Sequence, residues 1–226
     1  MENLNFAKIA YSSATVLDQF LHSNINTRED SYGGSPQARC KFPLDLVAAI
    51  ATVVGPSKVA MRLEPTGLYN GTYGSERVET WSYLCEQLAS TYQDENKLSY
   101  VHFIEPRFDR ITEQGDAFHK SWNLPTVSNE PFRDIIKRAE IPCISCGGWD
   151  ATNVTDAAAK WDLAAFAKWF VSNPDLPDRL RLGYPLQKYD RSRFYGSWDG
   201  IRENGFVDYL TWEEEENKRR QETLAT

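Results

Sequence analysis

The stretch that decides the fold runs from Asn26 to Ile50 and reads NTREDSYGGSPQARCKFPLDLVAAI. Its first part is polar and contains the pair Gly33-Gly34, which is typical of a loop because glycine adopts backbone angles that other residues resist. From Pro36 onward apolar residues recur at helical spacing, and proline suits the first position of a helix. The stretch therefore predicts a loop that leads into a helix.

Beyond this helix the chain alternates short apolar runs with helical patterns. The apolar runs predict strands over 6–10, 59–63, 99–104, 141–145 and 163–167. The helical patterns after the first cover 76–92, 131–139 and 150–159. Strands that alternate with helices indicate an α/β chain with a parallel sheet.

No internal repeat and no linker marks a domain boundary, so we predict a single domain over residues 1–226. Its last part, 173–226, is expected to be irregular. A run of acidic and then basic residues at 213–220 is interpreted as a solvated helix or a frayed end.

The overall charge excludes some partners. The 226 residues carry a formal net charge of −7 and have no basic block, which argues against nucleic acid and anionic membranes as partners. Neither a secretory signal pattern nor an apolar stretch of membrane-spanning length is present, so a cytoplasmic protein is expected. The four cysteines are then most simply reduced thiols.

The opening stretch also carries a family resemblance. Arg28, the run DSYGGS from Asp30 to Ser35, Arg39 and Phe42 resemble the strongest signature of the old yellow enzymes, which are FMN-dependent ene-reductases built on a TIM barrel. Further blocks similar to the family lie at 59–65, 100–107, 173–180 and 183–191. The sequence of these blocks is most similar to that of fungal members of the family, including members from secondary-metabolite pathways.

The resemblance covers only the second half of the family's chain, from the fourth strand to the eighth. It implies a partial (β/α) TIM barrel of about five parallel strands with two open edges. We expect a second copy of the chain in a homodimer, or the terminal segments, to cover these edges. A truncated gene model is a further alternative.

The end of the first strand departs from the family pattern His-x-x-Asn-x-Tyr, whose side chains hold the substrate carbonyl and deliver a proton. Aligned on the Gln-Phe pair that ends at Phe20, these places fall on Ala10, Ser13 and Thr15. Such small side chains cannot polarise an enone in the same way. An alignment shifted by one residue, with Tyr11 near the histidine position, is the alternative.

Four residues are predicted to be catalytic. The resemblance places Arg62 against the flavin, and without flavin it would polarise a substrate carbonyl; an ion pair with Glu64 or Glu105 is the alternative. His102 is a second candidate polariser because histidine titrates near neutral pH, although a structural histidine is the alternative. Glu64 and Asp18 are candidates for the acid or base.

Tyr11, Tyr69, Glu105 and Trp149 are predicted to contact the substrate in a hollow at the strand ends, where TIM barrels carry their sites. No metal site is predicted. The only metal-like motif is a single Cys-x-x-Cys pair at 143–146, and the chain has only three histidines.

Flavin binding is predicted to be weakened. The resemblance places Gly147 at the flavin phosphate and implies a Gly-x-Gly-Arg loop after the last strand. This chain has Ala165, Ala167 and Lys168 at the corresponding positions, and added methyl groups crowd the approach of a phosphate. Gly147 and Lys168 would bind cofactor only if FMN is retained.

The sequence therefore predicts a cofactor-free, non-redox cyclase or isomerase, with cycloaddition included. Its small-molecule substrate would be a polyketide, terpenoid or alkaloid intermediate of fungal secondary metabolism. Two alternatives stay open. One is an FMN-dependent ene-reductase, and the other is a non-catalytic subunit that pairs with a full-length relative.

Overall fold

The computed structural model describes residues 7–11, 15–106, 118, 122–195 and 200–224, with only the backbone of Tyr11. The chain divides into two compact units. The first comprises residues 1–148 and 160–164, and the second comprises 149–159 and 165–226. No linker signal in the sequence accompanies this division, and the single domain over 1–226 stays a prediction.

A parallel sheet forms the centre of the first unit. Its strands are β1 (Ala7–Tyr11), β2 (Val59–Leu63), β3 (Tyr100–Ile104), β4 (Cys143–Cys146) and β5 (Leu163–Ala165). The strands lie in the order β1-β2-β3-β4-β5, and the pairs from β1 to β4 are parallel in register. Sequential parallel strands with helical crossovers are the arrangement of part of a (β/α) barrel. The predicted fold class is confirmed.

Helices connect these strands close to where the sequence predicts them. They are α1 (Val16–Gln19), α2 (Pro36–Val54), α3 (Arg77–Thr91) and α4 (Glu130–Arg138). Short 3-10 turns lie at Pro56–Lys58, Tyr69–Gly71 and Asp94–Asn96. No helix in the described part of the chain is both long and apolar enough to cross a membrane.

The ends of α2 follow from its sequence. The Ser35 hydroxyl accepts a hydrogen bond from the Ala38 N–H at 3.2 Å, and Pro36 occupies the first helical turn. At the other end Gly55 has a φ of 86° and donates its N–H to the Ala51 carbonyl at 2.9 Å. A capping hydroxyl at the start and a glycine at the end therefore define the helix.

The signature arginine of the opening stretch holds the scaffold together. Arg39 is buried and donates to the Leu21 carbonyl at 3.2 Å and to the Gly34 carbonyl. It also donates to Thr80 Oγ1 at 2.9 Å and to Glu76 Oε2 at 3.2 Å on the neighbouring helix segment. One side chain thus joins the signature loop, the α1 region and α3.

The two faces of the sheet differ in character. One face packs against the helices, and its side chains from β2, β3 and β4 are fully buried: Met61, Leu63, Val101, Phe103, Cys143 and Ser145. Trp81, Leu84, Cys85 and Leu88 of α3 are buried as the helical spacing predicts. Because successive strand residues alternate, Lys8, Ala10, Arg62, Tyr100, His102 and Cys146 lie on the opposite face.

The described part of the second unit contains several helices. They are α5 (Val154–Lys160), α6 (Lys168–Ser172), α7 (Leu176–Leu182) and α8 (Trp212–Leu224), with a 3-10 turn at Arg191–Arg193. The charged run at 213–220 lies in α8, which has no buried residues, and the irregular extension over 173–226 stays a prediction. Buried Arg179 donates to Asp175 Oδ1 at 2.7 Å and to Glu215 Oε1 at 2.8 Å, a long-range contact that local composition cannot indicate.

Candidate active site

Lys8 and His102 contact each other across the intervening strand β2. They lie on the face of the sheet opposite the helices, which we call the open face. Lys8 Nζ lies 2.8 Å from His102 Nδ1. Burial and, after it, the charges of Lys8 and Arg62 together lower the pKa of His102 to about 3. His102 is therefore neutral, and its Nδ1 accepts the hydrogen bond from Lys8. The ring proton then lies on Nε2, which is buried and has no hydrogen-bond partner among the described residues.

Arg62 lies between these two strands. On β2 it pairs in register with Ala10 on one side and with His102 on the other. Its NH2 donates to Cys146 Sγ at 3.9 Å, and its buried Nε has no partner. The expected ion pair of Arg62 with Glu64 or Glu105 is absent from the described residues, so no carboxylate there neutralises the guanidinium.

Lys8 completes a group that we call the basic cluster, which consists of Lys8, Arg62 and His102. Burial lowers the pKa of the Lys8 ammonium, and the nearby charge of Arg62 lowers it further. Lys8 Nζ also lies 5.7 Å from the centroid of the Tyr100 ring. Burial raises the pKa of the neighbouring Cys146 thiol, so that group stays neutral and does not balance the cluster's charge.

Glu105 lies directly after β3, and its carboxyl is held on the side of Ser145, whose side chain is on the helix-packed face of the sheet. Ser145 Oγ donates to Glu105 Oε1 at 2.5 Å, and the Glu105 N–H donates to the Cys146 carbonyl at 2.8 Å. Burial raises the pKa of Glu105, while hydrogen bonds from Ser145 and Asn129 act in the opposite direction. A positioned carboxyl with a raised pKa is suited to proton transfer near neutral pH.

Glu64 lies directly after β2 under a tight turn. It is buried, and its carbonyl accepts the Gly67 N–H at 3.1 Å. A Cβ on Gly67 would lie 2.9 Å from Glu64 Cγ, so the turn closes over this side chain. Burial lowers the pKa of Arg77 to about 10, although the charges of Asp18 and Glu64 oppose the shift. The Glu64 carboxylate therefore interacts with the buried guanidinium of Arg77.

The structure does not bring Asp18 to the basic cluster. Asp18 is buried on α1, and its Oδ2 lies 3.2 Å from His22 Nε2. The His22 ring in turn packs 5.0 Å from the ring of Trp81, a core residue of α3. Asp18 thus belongs to the layer of helices, and its predicted role as an acid or base gains no support from this placement.

The predicted substrate contacts are dispersed. The Tyr11 side chain lies outside the described residues, and Tyr69 is 62% exposed in a 3-10 turn. Trp149 and Lys168 belong to the second unit, where Lys168 Nζ lies 5.0 Å from the ring centroid of Tyr189. Glu105 is hydrogen-bonded to Ser145, on the face of the sheet that packs against the helices.

Sequence reasoning missed two residues of the site, Lys8 and Cys146. The alternation of strand side chains was the available signal, because Lys8 is two residues before Ala10 and therefore shares its face. The same alternation separates the Cys-x-x-Cys pair: Cys143 is buried on the helix side, where its Sγ donates to the Ile141 carbonyl at 3.7 Å. No group of three or more potential metal ligands occurs among the described residues.

Comparison with known proteins identifies the family. The model of the NADH:flavin oxidoreductase / NADH oxidase family matches residues 8–187. The chain belongs to this family. The flavin oxidoreductase hxnT of Emericella nidulans is 38% identical over 86% of this chain and 50% of its own length. The probable inactive dehydrogenase easA of Claviceps fusiformis is 31% identical over 86% of this chain and 49% of its own.

Among solved structures, a morphinone reductase superposes with a TM-score of 0.73 and 31% identity. The match covers 93% of this chain and 51% of that protein. The chain thus spans about half the length of the relatives that it matches. The old yellow enzyme resemblance and the partial barrel are confirmed.

The family implies FMN, and the described residues fit it only in part. The unpartnered Nε of Arg62 and the positive φ of Gly147, 96°, suit a hydrogen-bond acceptor and a close approach. In contrast, Ala10 lacks a polar side chain, and the Thr15 hydroxyl donates to the Ala10 carbonyl at 3.3 Å. Ser13 lies outside the described residues. Arg62 and Gly147 thus fit the flavin, whereas Ala10 lacks the polar side chain that the resemblance implies for holding the substrate.

Proposed function

We propose that this family member is a non-redox isomerase or cyclase that acts on a carbonyl compound at the basic cluster. The observation that carries the proposal is Arg62. Its half-buried guanidinium lies at the carboxyl end of β2, next to a neutral His102 and with no carboxylate partner among the described residues. A cation held in this way is suited to stabilising negative charge that develops on an oxygen.

The simplest reaction is the migration of a double bond next to a carbonyl group. A base removes a proton from the adjacent carbon, and the electron pair moves onto the oxygen, where Arg62 stabilises the charge. The proton then returns at a different carbon. Glu105 is the proposed base, because burial raises the pKa of its carboxyl and Ser145 holds it in place. A cyclisation would use the same polarised carbonyl.

His102 has a different role from the one expected from the sequence. Its Nε2 is buried and its Nδ1 accepts from Lys8, so neither nitrogen is available to a substrate oxygen. We assign His102 as a positioning residue that acts through Lys8. The substrate class remains a polyketide, terpenoid or alkaloid intermediate. The relative easA is named a probable inactive dehydrogenase, which supports a non-redox member of the family.

The experiment uses 3-cyclohexenone as a probe, without nicotinamide, and follows the conjugated 2-cyclohexenone by its ultraviolet absorbance. We expect Arg62→Ala to slow the isomerisation about 100-fold, since one stabilising donor at a developing oxyanion contributes on that order. Arg138→Ala, which removes an exposed arginine, is the matched control and should change nothing. Equal rates for the wild type and Arg62→Ala would contradict the proposal.

A second candidate is an FMN-dependent ene-reductase, favoured by family membership and by the geometry of Arg62 and Gly147. In such an enzyme FMN would supply hydride transfer. Purified protein with visible flavin absorbance and NADH-dependent reduction of 2-cyclohexenone would support this candidate. Colourless protein that isomerises 3-cyclohexenone would support the first.

The assembly is a further part of the proposal. In the described sheet β1 and β5 are the two edge strands, and an open edge favours pairing with another chain. A homodimer is the proposed state, and pairing with a full-length relative as a non-catalytic subunit is the alternative. Light scattering should give about twice the chain mass of 25.9 kDa. A monomer at that mass would refute the homodimer.

A further inference from the structure

Lys8 is the most accessible member of the basic cluster. Its side chain is exposed on the open face of the sheet, whereas Arg62 is half-buried and His102 is buried. Its amine is also held in one place, because Nζ lies 2.8 Å from His102 Nδ1. A substrate that reaches Arg62 from the open face therefore meets the Lys8 nitrogen beside it.

We infer that Lys8 is a Schiff-base lysine, whose amine condenses with the carbonyl carbon of an aldehyde or ketone held at Arg62. This deepens the proposed function and rests on it for the polarised carbonyl. It adds a covalent site and narrows the substrate class to compounds with a free aldehyde or ketone.

The surroundings favour the neutral, nucleophilic amine. The groups that face Lys8 are Arg62 on β2, Tyr100 and His102 on β3, and Cys146 on β4. None of these is a carboxylate, and no ion pair to Lys8 occurs in the described part of the chain. Burial and the Arg62 charge lower the pKa of Lys8, and a nearby cation is a recognised way to activate a lysine.

The lysine amine and the carbonyl compound form the imine with loss of one water molecule. The Nζ lone pair attacks the carbonyl carbon, and the carbonyl π pair moves to the oxygen beside Arg62. The proton that the nitrogen releases passes through solvent to this oxygen, since the Lys8 side chain is exposed. The hydroxyl of the resulting carbinolamine then leaves with a second nitrogen proton as water, and a C=N bond forms. No oxidant or reductant is needed.

An imine at Lys8 also serves the proposed isomerisation. A protonated imine withdraws electrons from the adjacent carbon more strongly than a ketone does. The proton that Glu105 removes therefore becomes more acidic, and hydrolysis of the imine afterwards releases the product and the free amine.

The test is trapping of the imine by reduction. The wild-type protein is incubated at neutral pH with cyclohexanone and sodium cyanoborohydride, which reduces an imine to a stable secondary amine, and peptide mass spectrometry locates the label. Lys58, an exposed lysine in the 3-10 turn before β2, is the internal control. We expect labelling of Lys8 at least about tenfold faster than labelling of Lys58. Equal rates would overturn the inference.

Substitutions at Lys8 and His102 test whether the label depends on these two residues. Lys8→Arg keeps a cation at this exposed position and should lose the label at residue 8 while Lys58 still reacts. His102→Leu removes the acceptor and should slow labelling of Lys8, whereas His102→Gln, which offers an amide oxygen, should restore part of it. Unchanged labelling in His102→Leu would contradict the positioning role.

Failure of this inference and failure of the proposed function give different results. If Lys8→Arg still isomerises 3-cyclohexenone at the wild-type rate, the Schiff base is wrong and the proposed function stands. If Lys8 is trapped by cyclohexanone but Arg62→Ala isomerises as fast as the wild type, the imine site stands and the proposed function is wrong.

Discussion

Lys8 of β1 reaches His102 of β3 over the strand between them, with Nζ 2.8 Å from Nδ1. Ala60 of β2 pairs in register with Lys8 on one side and with Tyr100 on the other. Because the alanine side chain is a single methyl group, the long lysine side chain can cross it. A small residue at this position of the middle strand thus permits the basic cluster to form.

Acid should destabilise the protein through His102. Its pKa is about 3 in the folded chain against a usual value of 6.5, so the unfolded chain takes up a proton first as the pH falls below 6.5. Stability from the neutral imidazole is therefore fully present above pH 6.5 and declines from there down to about pH 3. We expect the wild type to lose about 2 kcal/mol more than His102→Gln between pH 7.5 and pH 5, measured by urea unfolding.

His22, whose pKa burial also lowers, adds to the acid sensitivity of both proteins and cancels in this comparison. If the wild type and His102→Gln show the same dependence on pH, then His102 is not neutral in the folded state.

Removing the signature arginine should cost stability. Arg39→Ala deletes the donor to the Leu21 carbonyl and to Thr80 Oγ1 and leaves these buried acceptors unsatisfied. We expect a loss of about 3 kcal/mol in the free energy of unfolding, measured with urea. Arg28→Ala is the control, because its ion pair with Asp30 is half exposed and should contribute little to stability. If both variants lose a similar amount of the free energy of unfolding, then burial of the arginine does not determine its contribution to stability.

The two glycines of the signature loop should respond differently to substitution. A Cβ on Gly33 would lie 2.1 Å from the Arg28 carbonyl oxygen, so Gly33→Ala must displace the backbone. Gly34 has a φ of 85° and open space around it, and asparagine tolerates this conformation. We expect Gly33→Ala to lower the melting temperature clearly and Gly34→Asn to lower it only slightly. A larger fall in melting temperature for Gly34→Asn than for Gly33→Ala would contradict the close contact between Gly33 and the Arg28 carbonyl.

Replacing the proposed base should slow turnover without unfolding the protein. Glu105→Gln keeps an oxygen that can accept the Ser145 hydroxyl but cannot take a proton. We expect isomerisation of 3-cyclohexenone to slow about 100-fold, with the circular dichroism spectrum and melting temperature nearly unchanged. Full activity of Glu105→Gln would show that another residue is the base.

The C-terminal helix should depend on one buried arginine. Arg179→Ala removes the hydrogen bonds to Glu215 Oε1 at 2.8 Å and to the Leu210 carbonyl at 3.0 Å. We expect limited trypsin digestion to cleave within α8 several times faster than in the wild type, since cleavage follows local opening. Arg181→Ala, at a 70% exposed side chain, is the control and should leave the rate unchanged. Equal protection of α8 in both variants would refute this anchoring.

Local patterns in the sequence predicted most of the secondary structure. The apolar run at Val59–Leu63 became β2 with the same limits, and the helix after Pro36 begins and ends at the capping residues that its sequence contains. Those features depend on neighbouring residues, which a single sequence displays. The contact of Arg179 with Glu215 joins distant positions, so local patterns do not predict it, although the charged run at 213–220 does lie in a helix.

For the candidate site, the sequence by itself determined the family, the parallel strands and the presence of Arg62 and His102 at adjacent strand ends. Only the tertiary structure decided that Lys8 joins them, that His102 Nδ1 is bonded to Lys8 while its Nε2 is buried, and that Asp18 lies among the helices instead. The physical reason is strand register. It places side chains from distant positions on one face of the sheet, and the resulting burial and neighbouring charges then determine which groups can react.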